Sequence, residues 1–145
     1  MDSFTSLQIS ATGMSAERTR MSLISSNLAN ANTTHTPEGG PYRRKDAIFT
    51  SEPVAESFEG RLEAARRSNP ASVDILEVRE DQSPPRQVYD PGHPDANSDG
   101  YVLLPNVNVV EEMTDMIAAS RAYEANVTAA QAAKSMALKT LELAR

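Results

Sequence analysis

Pro105-Asn-Val-Asn-Val-Val-Glu-Glu-Met-Thr-Asp-Met-Ile117 opens a stretch that runs to Arg145 with no further Gly or Pro. Asn108 can cap a helix there, and Glu111 stands three residues on, where a capping-box carboxylate reaches back. Apolar or small residues recur at Val109, Met113, Met116, Ser120, Tyr123 and Val127, then at Ala130, Ala137, Leu141 and Ala144. Steps of three and four mark a helical seam close to the heptad period. Lys134 is the one charged residue on that line, and Val110, Ile117 and Leu138 widen the stripe. A helix of this length spans about 55 Å, which a small globule cannot bury alone. It needs a partner.

The other end of the chain supplies one. Leu7, Met14, Met21 and Leu28 fall seven residues apart, with Ala11 and Ile24 expected on the same side. Asp2 or Ser3 can cap the start. Gly13 interrupts this run at a cost of about 1 kcal/mol relative to Ala, which suggests close backbone approach or simple tolerance. The C-terminal seam is mostly Ala and Ser between Ala118 and Ala137. Small residues pack closely but bury little area each, so such a helix gains most from several neighbours. Tyr123 and Met116, large side chains among small ones, are its expected central contacts.

Charge separates the ends from the middle. Residues 1–36 carry two acids and two bases, residues 37–100 thirteen acids and eight bases, and residues 101–145 five acids and four bases. Five of the six net negative charges therefore sit in the middle, and an acidic chain argues against nucleic acid as a partner. There is no cysteine, so disulfides and thiolate chemistry are excluded. No run of 18 apolar residues predicts a transmembrane helix. The N-terminus lacks the basic start and apolar core of a secretory signal, so export without a cleaved signal is the expectation. The scarcity of aromatics allows only a modest core.

Between the helices the chain reads as a small β-rich module over residues 37–104. Asn30 and Asn32 can end the first helix in the left-handed conformation, and Pro37, Gly39, Gly40 and Pro41 forbid its continuation. Strand character follows around Ala47, Ile48 and Phe49. Glu52 to Ser68 is charged and mixed. Val73 to Val78 reads as a strand with imperfect alternation, Arg86 to Tyr89 as short and extended, and Tyr101 to Leu104 as the last strand, ended by Pro105. The fold class is α+β: long N- and C-terminal helices packed as an antiparallel coiled-coil-like pair around this module, with segments 1–36, 37–104 and 105–145.

Candidate chemistry is sparse. Asp95, Asn97 and Asp99 with Gly100 match the first half of a calcium loop. The twelfth position is Asn106 rather than a bidentate Glu, and Pro91 and Pro94 exclude an entering helix. A tight turn is the favoured reading, and a calcium-binding module is the alternative. His35 and His93 are lone loop histidines. His93 with Asp90 or Asp95 has no nucleophile of suitable context, and no Gly-x-Ser-x-Gly elbow or dinucleotide Gly pattern occurs. Arg43-Arg44-Lys45 reads as a solvated strand end, or as a contact for an acidic face on a neighbouring subunit. No enzyme, cofactor or metal site is expected.

Ser26-Asn27-Leu28-Ala29-Asn30-Ala31-Asn32-Thr33 resembles the motif that ends the N-terminal helix of bacterial flagellar axial proteins of the rod and hook. Two more stretches resemble the proximal-rod type within that family. One is Tyr89-Asp90-Pro91-Gly92-His93-Pro94-Asp95-Ala96-Asn97, continuing through Asp99-Gly100-Tyr101-Val102. The other is Pro105-Asn106-Val107-Asn108, followed by Glu111 to Met116 and by Ser120-Arg121-Ala122-Tyr123-Glu124-Ala125-Asn126. Residues 50–85 match no such motif. The resemblance implies a structural subunit of the rod, passed through the flagellar type III export channel and stacked helically in the periplasm above the membrane ring. It implies copies of itself, other rod proteins and ring adaptor proteins as partners, with the terminal helices lining the tube. Another rod or hook subunit is the alternative within the family. Asn27 and Asn30 are expected either to cap the helix end or to bond a neighbouring subunit.

Overall fold

The computed structural model describes residues 3–53 and 70–143. Helix α1 spans Ser3–Ala29, strands β1 Lys45–Pro53, β2 Ala71–Glu80, β3 Arg86–Tyr89 and β4 Tyr101–Leu104 follow, and helix α2 spans Val109–Leu143. Asp2, Ala144 and most of the mixed segment to Ser68 lie outside the described residues.

The two helices pack along their length. Asn27 meets Glu112, and the Gly13 backbone meets Asn126. Equal steps along the two helices, 27 to 13 and 112 to 126, separate these contacts, so the pair is antiparallel and in one continuous register. On α2 the line turned toward α1 is Glu112, Met116, Ala119, Tyr123, Asn126, Ala130, Ala133 and Ala137, all buried or half-buried. Its steps of four and three follow the heptad. The same periodicity on α1 runs through Ser10, Gly13, Glu17, Arg20, Ile24 and Asn27, and Ala31, in the turn after the helix, continues it.

The line packed between the two helices lies a fraction of a turn from the apolar seams read in the sequence. Met116, Tyr123, Ala130 and Ala137 do lie on the packed line, with Ser120 and Val127 half-buried beside it. Val109, Met113 and Leu141 are exposed instead. On α1, Leu7, Met14, Met21 and Leu28 are half-buried flanks, and Ala11 is exposed. Polar residues displaced the apolar reading: the buried positions on the packed lines include Glu112 and, on α1, Ser10 and Asn27.

Strands β1 and β2 pair antiparallel, with Lys45 opposite Glu80 and Pro53 opposite Ala71. Ile48 faces Glu77 while Phe49 faces Ile75, so Leu76 is the extra residue of a bulge, and it is exposed. That bulge is the cause of the imperfect alternation in the sequence. An isolated two-stranded sheet is marginal in water; this one leans on α1. Arg20 lies over the Phe49 ring, 4.3 Å from its centroid, and Val73 N–H donates to Thr12 Oγ1 at 3.4 Å.

Strands β3 and β4 form a second two-stranded antiparallel sheet, with Tyr89 opposite Tyr101. Val102 is buried, and Pro105 and Val107 bury the chain that leads into α2. Helix α2 starts as its sequence dictates: Asn108 Oδ1 accepts from Val110 N–H at 3.1 Å. Glu111 and Glu112 place negative charge at the helix's positive end. Glu111 stays exposed, while Glu112 is turned inward. The buried apolar residues are mostly Ala, with Ile24, Val102 and Val107 the larger ones, in keeping with a modest core.

Candidate functional site

Three places concentrate the chain's particular residues: the joint where α1 ends, the loop between β3 and β4, and the outer face of α2.

At the joint, the Asn27 side chain is fully buried and every polar atom on it is used. Nδ2 donates to Lys45 O at 2.9 Å and to Glu112 Oε2 at 3.0 Å. Oδ1 accepts from Lys45 N–H at 2.9 Å and from the Tyr42 hydroxyl at 3.0 Å. One amide therefore ties the last turn of α1 to the first residue of β1 and the first turn of α2. Arg44 Nε donates to Glu112 Oε1 at 2.5 Å, and the guanidinium also faces Asp46 at 3.6 Å and Asp115 at 3.9 Å. Burial works against the charge of Arg44, but the Glu112 hydrogen bond and the three carboxylates outweigh it and hold its pKa above the ordinary guanidinium value. A buried carboxylate without such partners would cost several kcal/mol.

The basic cluster finds partners within its own chain, while Arg43 stays exposed at the strand's start. Arg44 meets an acidic face on its own chain, Arg43 Nη1 donates to Gln82 Oε1 at 2.6 Å, and Lys45 Nζ stands 3.4 Å from Glu80. Asn30 plays the local part: its Nδ2 donates to Ser26 O at 2.9 Å, and its Oδ1 accepts from Thr33 Oγ1 at 3.1 Å. Contrary to expectation, neither Asn30 nor Asn32 is left-handed, since no described residue other than glycine has positive φ. Ala31 is buried, while Ala29 and Asn32 are exposed.

Nearby, the Asp81 carboxyl accepts from the Ser83 hydroxyl at 2.6 Å and from Ser83 N–H at 2.8 Å. These bonds hold its pKa below the usual carboxylate value.

The loop from Asp90 to Gly100 is closed by Asp90 N–H donating to Gly100 O at 2.9 Å. Gly100 has a φ of 81°, and a Cβ there would lie 2.9 Å from Tyr89 Cε2. No other residue fits without strain. Gly92 has no such constraint: its φ is not left-handed, and only Asp90 Oδ1, at 3.5 Å, would touch an added Cβ. The Tyr89 and Tyr101 rings meet edge to face, with centroids 5.3 Å apart. Asp90 and Asn97 accept amides of their own turn, Asp90 from Gly92 and Asn97 from Asp99 and Tyr101. Asp95 does not: its Oδ2 accepts from Thr34 Oγ1 at 2.7 Å, which pins the loop to the segment after α1. His93 Nδ1 accepts from Asp95 N–H at 3.1 Å. In this conformation Asn97 Oδ1 serves the turn amides and Asp95 Oδ2 serves Thr34. Among the described residues no group of three or more His, Asp or Glu could hold a metal ion.

On the outer face of α2, Val110, Met113 and Ile117 are 72%, 55% and 56% exposed. Leu138 and Leu141 continue the stripe near the other end, at 53% and 69%. Arg121 is exposed between them. The sequence read Arg44 only as one of a basic cluster and Glu112 only within a family-like stretch, and it gave Tyr42 no part in a site. The available signal was the phase of Glu112 on the heptad line, which its charge concealed. No described helix is long and apolar enough to cross a membrane.

The family described as "Flagella basal body rod protein" matches residues 7–34, and the one described as "Flagellar basal body rod FlgEFG protein C-terminal" matches residues 98–143. The chain is 45% identical to the flagellar basal-body rod protein FlgC of Borreliella burgdorferi, over 94% of this chain and 93% of the relative. Against FlgC of Bacillus subtilis the identity is 42% over the whole of both chains. Against FlgC of Salmonella typhimurium it is 39%, covering 93% and 92%. With both ends matched and likeness running nearly end to end, the chain belongs to the FlgC family of flagellar basal-body rod proteins.

Proposed function

We propose that this chain assembles helically in the proximal part of the rod through its terminal helices, joining the membrane ring to the distal rod and carrying torque between them. The family makes it a structural component of the flagellar basal-body rod and not an enzyme. The outer stripe of α2 carries the proposal. Val110, Met113 and Ile117 form an apolar face that α1 leaves uncovered, on a helix whose other face is already occupied. Contiguous exposed apolar surface of this kind marks an interaction face. Heterologous contacts that do not close generate an open helical array.

In this reading residues 1–36 and 105–145 make the tube-forming core, and residues 37–104 form the module set on it. The partners are copies of the chain, other rod subunits and the adaptor proteins of the membrane ring. The route is the flagellar type III export channel, and the destination is the periplasmic rod. Electron microscopy of basal bodies from a strain carrying Ile117→Asp tests the reading. Rings lacking an extended rod are expected, and a full-length rod with normal motility would overturn it.

A further inference from the structure

The helix pair is flush at one end and stepped at the other. Asn27 meets Glu112 and Gly13 meets Asn126, and the same register sets Ser3, the first described residue of α1, level with Met136. Helix α2 runs on to Leu143, about 10 Å further. Every residue from 138 to 143 is exposed. Leu143 is 89% exposed, and Phe4 at the same end 79%. Leu138, Leu141 and Glu142 share one helix face, at positions i, i+3 and i+4. The step is an apolar plug with a carboxylate on it. At the flush end α1 stops at Ala29 and α2 starts at Val109, and a groove of about 390 Å³ opens there. Ala31, Pro105 and Val107, all buried, line it together with Asn32, Val109 and Arg86, which are exposed.

We infer that this groove seats the C-terminal helix end of the rod-family subunit stacked next in line, and that the projecting end of α2 fills the same groove on the neighbour at the other side. The inference rests on the helical assembly proposed above and names its end-to-end contact. Charge and polarity match: an apolar groove with one cation, Arg86, receives an apolar helix end with one carboxylate, Glu142. Lys139 on the same end has a counterpart in Glu111, exposed beside the groove. The groove is continuous with the outer stripe of α2, since Val109 lines it and Val110 begins the stripe. The plug and five of the six named groove residues lie within 7–34 and 98–143, the stretches that match the rod-family descriptions. Arg86 alone lies outside them. A subunit of that family therefore carries both parts, which selects it over a ring or export component as the occupant. Plug and groove are unlike surfaces at opposite ends of one chain, so the contact is heterologous and repeats along an axis without closing.

Photo-crosslinking in assembled basal bodies tests the contact. The photoreactive residue benzoyl-phenylalanine is placed at Leu141 in one strain, at Asn32 in a second and at Ile117 in a third, all exposed positions that the fold of the chain does not depend on. Irradiation at Leu141 is expected to join the chain to a rod-family subunit, and peptide mass spectrometry to map the new bond to partner residues that align with Ala31 and Asn32 or with Pro105 to Val109. From Asn32 the bond should map to the last two turns of the partner's C-terminal helix. A Leu141 product that maps to the side of a partner's helices, or to a ring or export protein, would overturn the inference. So would the lack of a Leu141 product where Ile117 does join a rod subunit, and that result would leave the helical assembly through α2 standing. The lack of a rod-subunit product from all three positions, in basal bodies that contain the chain, would overturn both.

Discussion

The amide nitrogen of Asn27 lies 3.0 Å from Oε2 of Glu112, across 85 residues of sequence. Both side chains are buried, Asn27 at 0% and Glu112 at 1% exposure. This contact joins the two ends of the chain, and the sheet is attached to it through Lys45 and Arg44.

Removing the carboxylate should therefore be costly. Glu112→Ala leaves one donor on Asn27 and the Arg44 guanidinium without their acceptor, and a loss of about 2–3 kcal/mol is expected. Glu112→Gln keeps an acceptor for Asn27 and should lose less. Urea unfolding followed by circular dichroism reads both as shifts of midpoint at constant slope. An unchanged midpoint for Glu112→Ala would contradict the joint's role.

Gly13 is the second point of close approach. An added Cβ would sit 3.0 Å from Nδ2 and 3.1 Å from Cγ of Asn126. Gly13→Ala should thus fail to deliver the gain of about 1 kcal/mol that helix propensity alone promises. In an Asn126→Ala background the same change should deliver it. The double-mutant cycle measures the difference as a coupling energy, and strict additivity would refute the close contact.

The two glycines of the rod loop should behave differently. Gly100→Ala forces a side chain into a left-handed φ and against Tyr89, at a cost of about 1–2 kcal/mol. Gly92→Ala meets only Asp90 Oδ1 at ordinary contact distance and should be tolerated. Swimming assays of complemented strains separate them: loss of motility is expected for Gly100→Ala alone. Equal motility for the two variants would remove the loop's shape from the list of assembly determinants.

Surface and seam on α2 should also part. Met113→Asp alters an exposed residue, so the monomer's stability should change by no more than about 0.5 kcal/mol while motility is lost. Met116→Asp places a charge on the half-buried line against α1 and should destabilise the monomer itself. Thermal unfolding of the purified chains, paired with swimming assays, checks both. A motile Met113→Asp strain would show that this face is free in the rod.

Acid should loosen the turn after β2. The Asp81 pKa is lowered in the folded chain, chiefly by Ser83. Its contribution is present above the unfolded carboxylate value and is lost as the pH falls through the lowered folded one. Titration of the Asp81 carboxyl by NMR should therefore give a midpoint below that of an unfolded peptide, and an equal midpoint would contradict the assignment.

The sequence by itself determined the two helices, their antiparallel partnership, the four strands and the capped turn at Asn108. Each of these rests on local periodicity or local backbone chemistry: heptad spacing, the absence of Gly and Pro after Pro105, and turn residues between short β-branched runs. The family motif also marked Asn27 before its partners were visible. Tertiary structure alone decided which side of each helix faces the other. An apolar scan assigned Val109 and Met113 to the seam because they are apolar, while the packed line admits Glu112 and Asn126 because partners 85 and more than 100 residues away satisfy or accommodate them. Gly92 and Gly100 are alike in sequence terms, yet only Gly100 of the two has a left-handed φ, and Tyr89 fills the space where its side chain would stand. Arg44 likewise reads as one of three adjacent cations, and becomes the counter-ion of a buried carboxylate only when the first turn of α2 packs beside the end of α1. Burial of a polar group depends on partners that folding brings from elsewhere in the chain, and such partners leave no local periodicity to read.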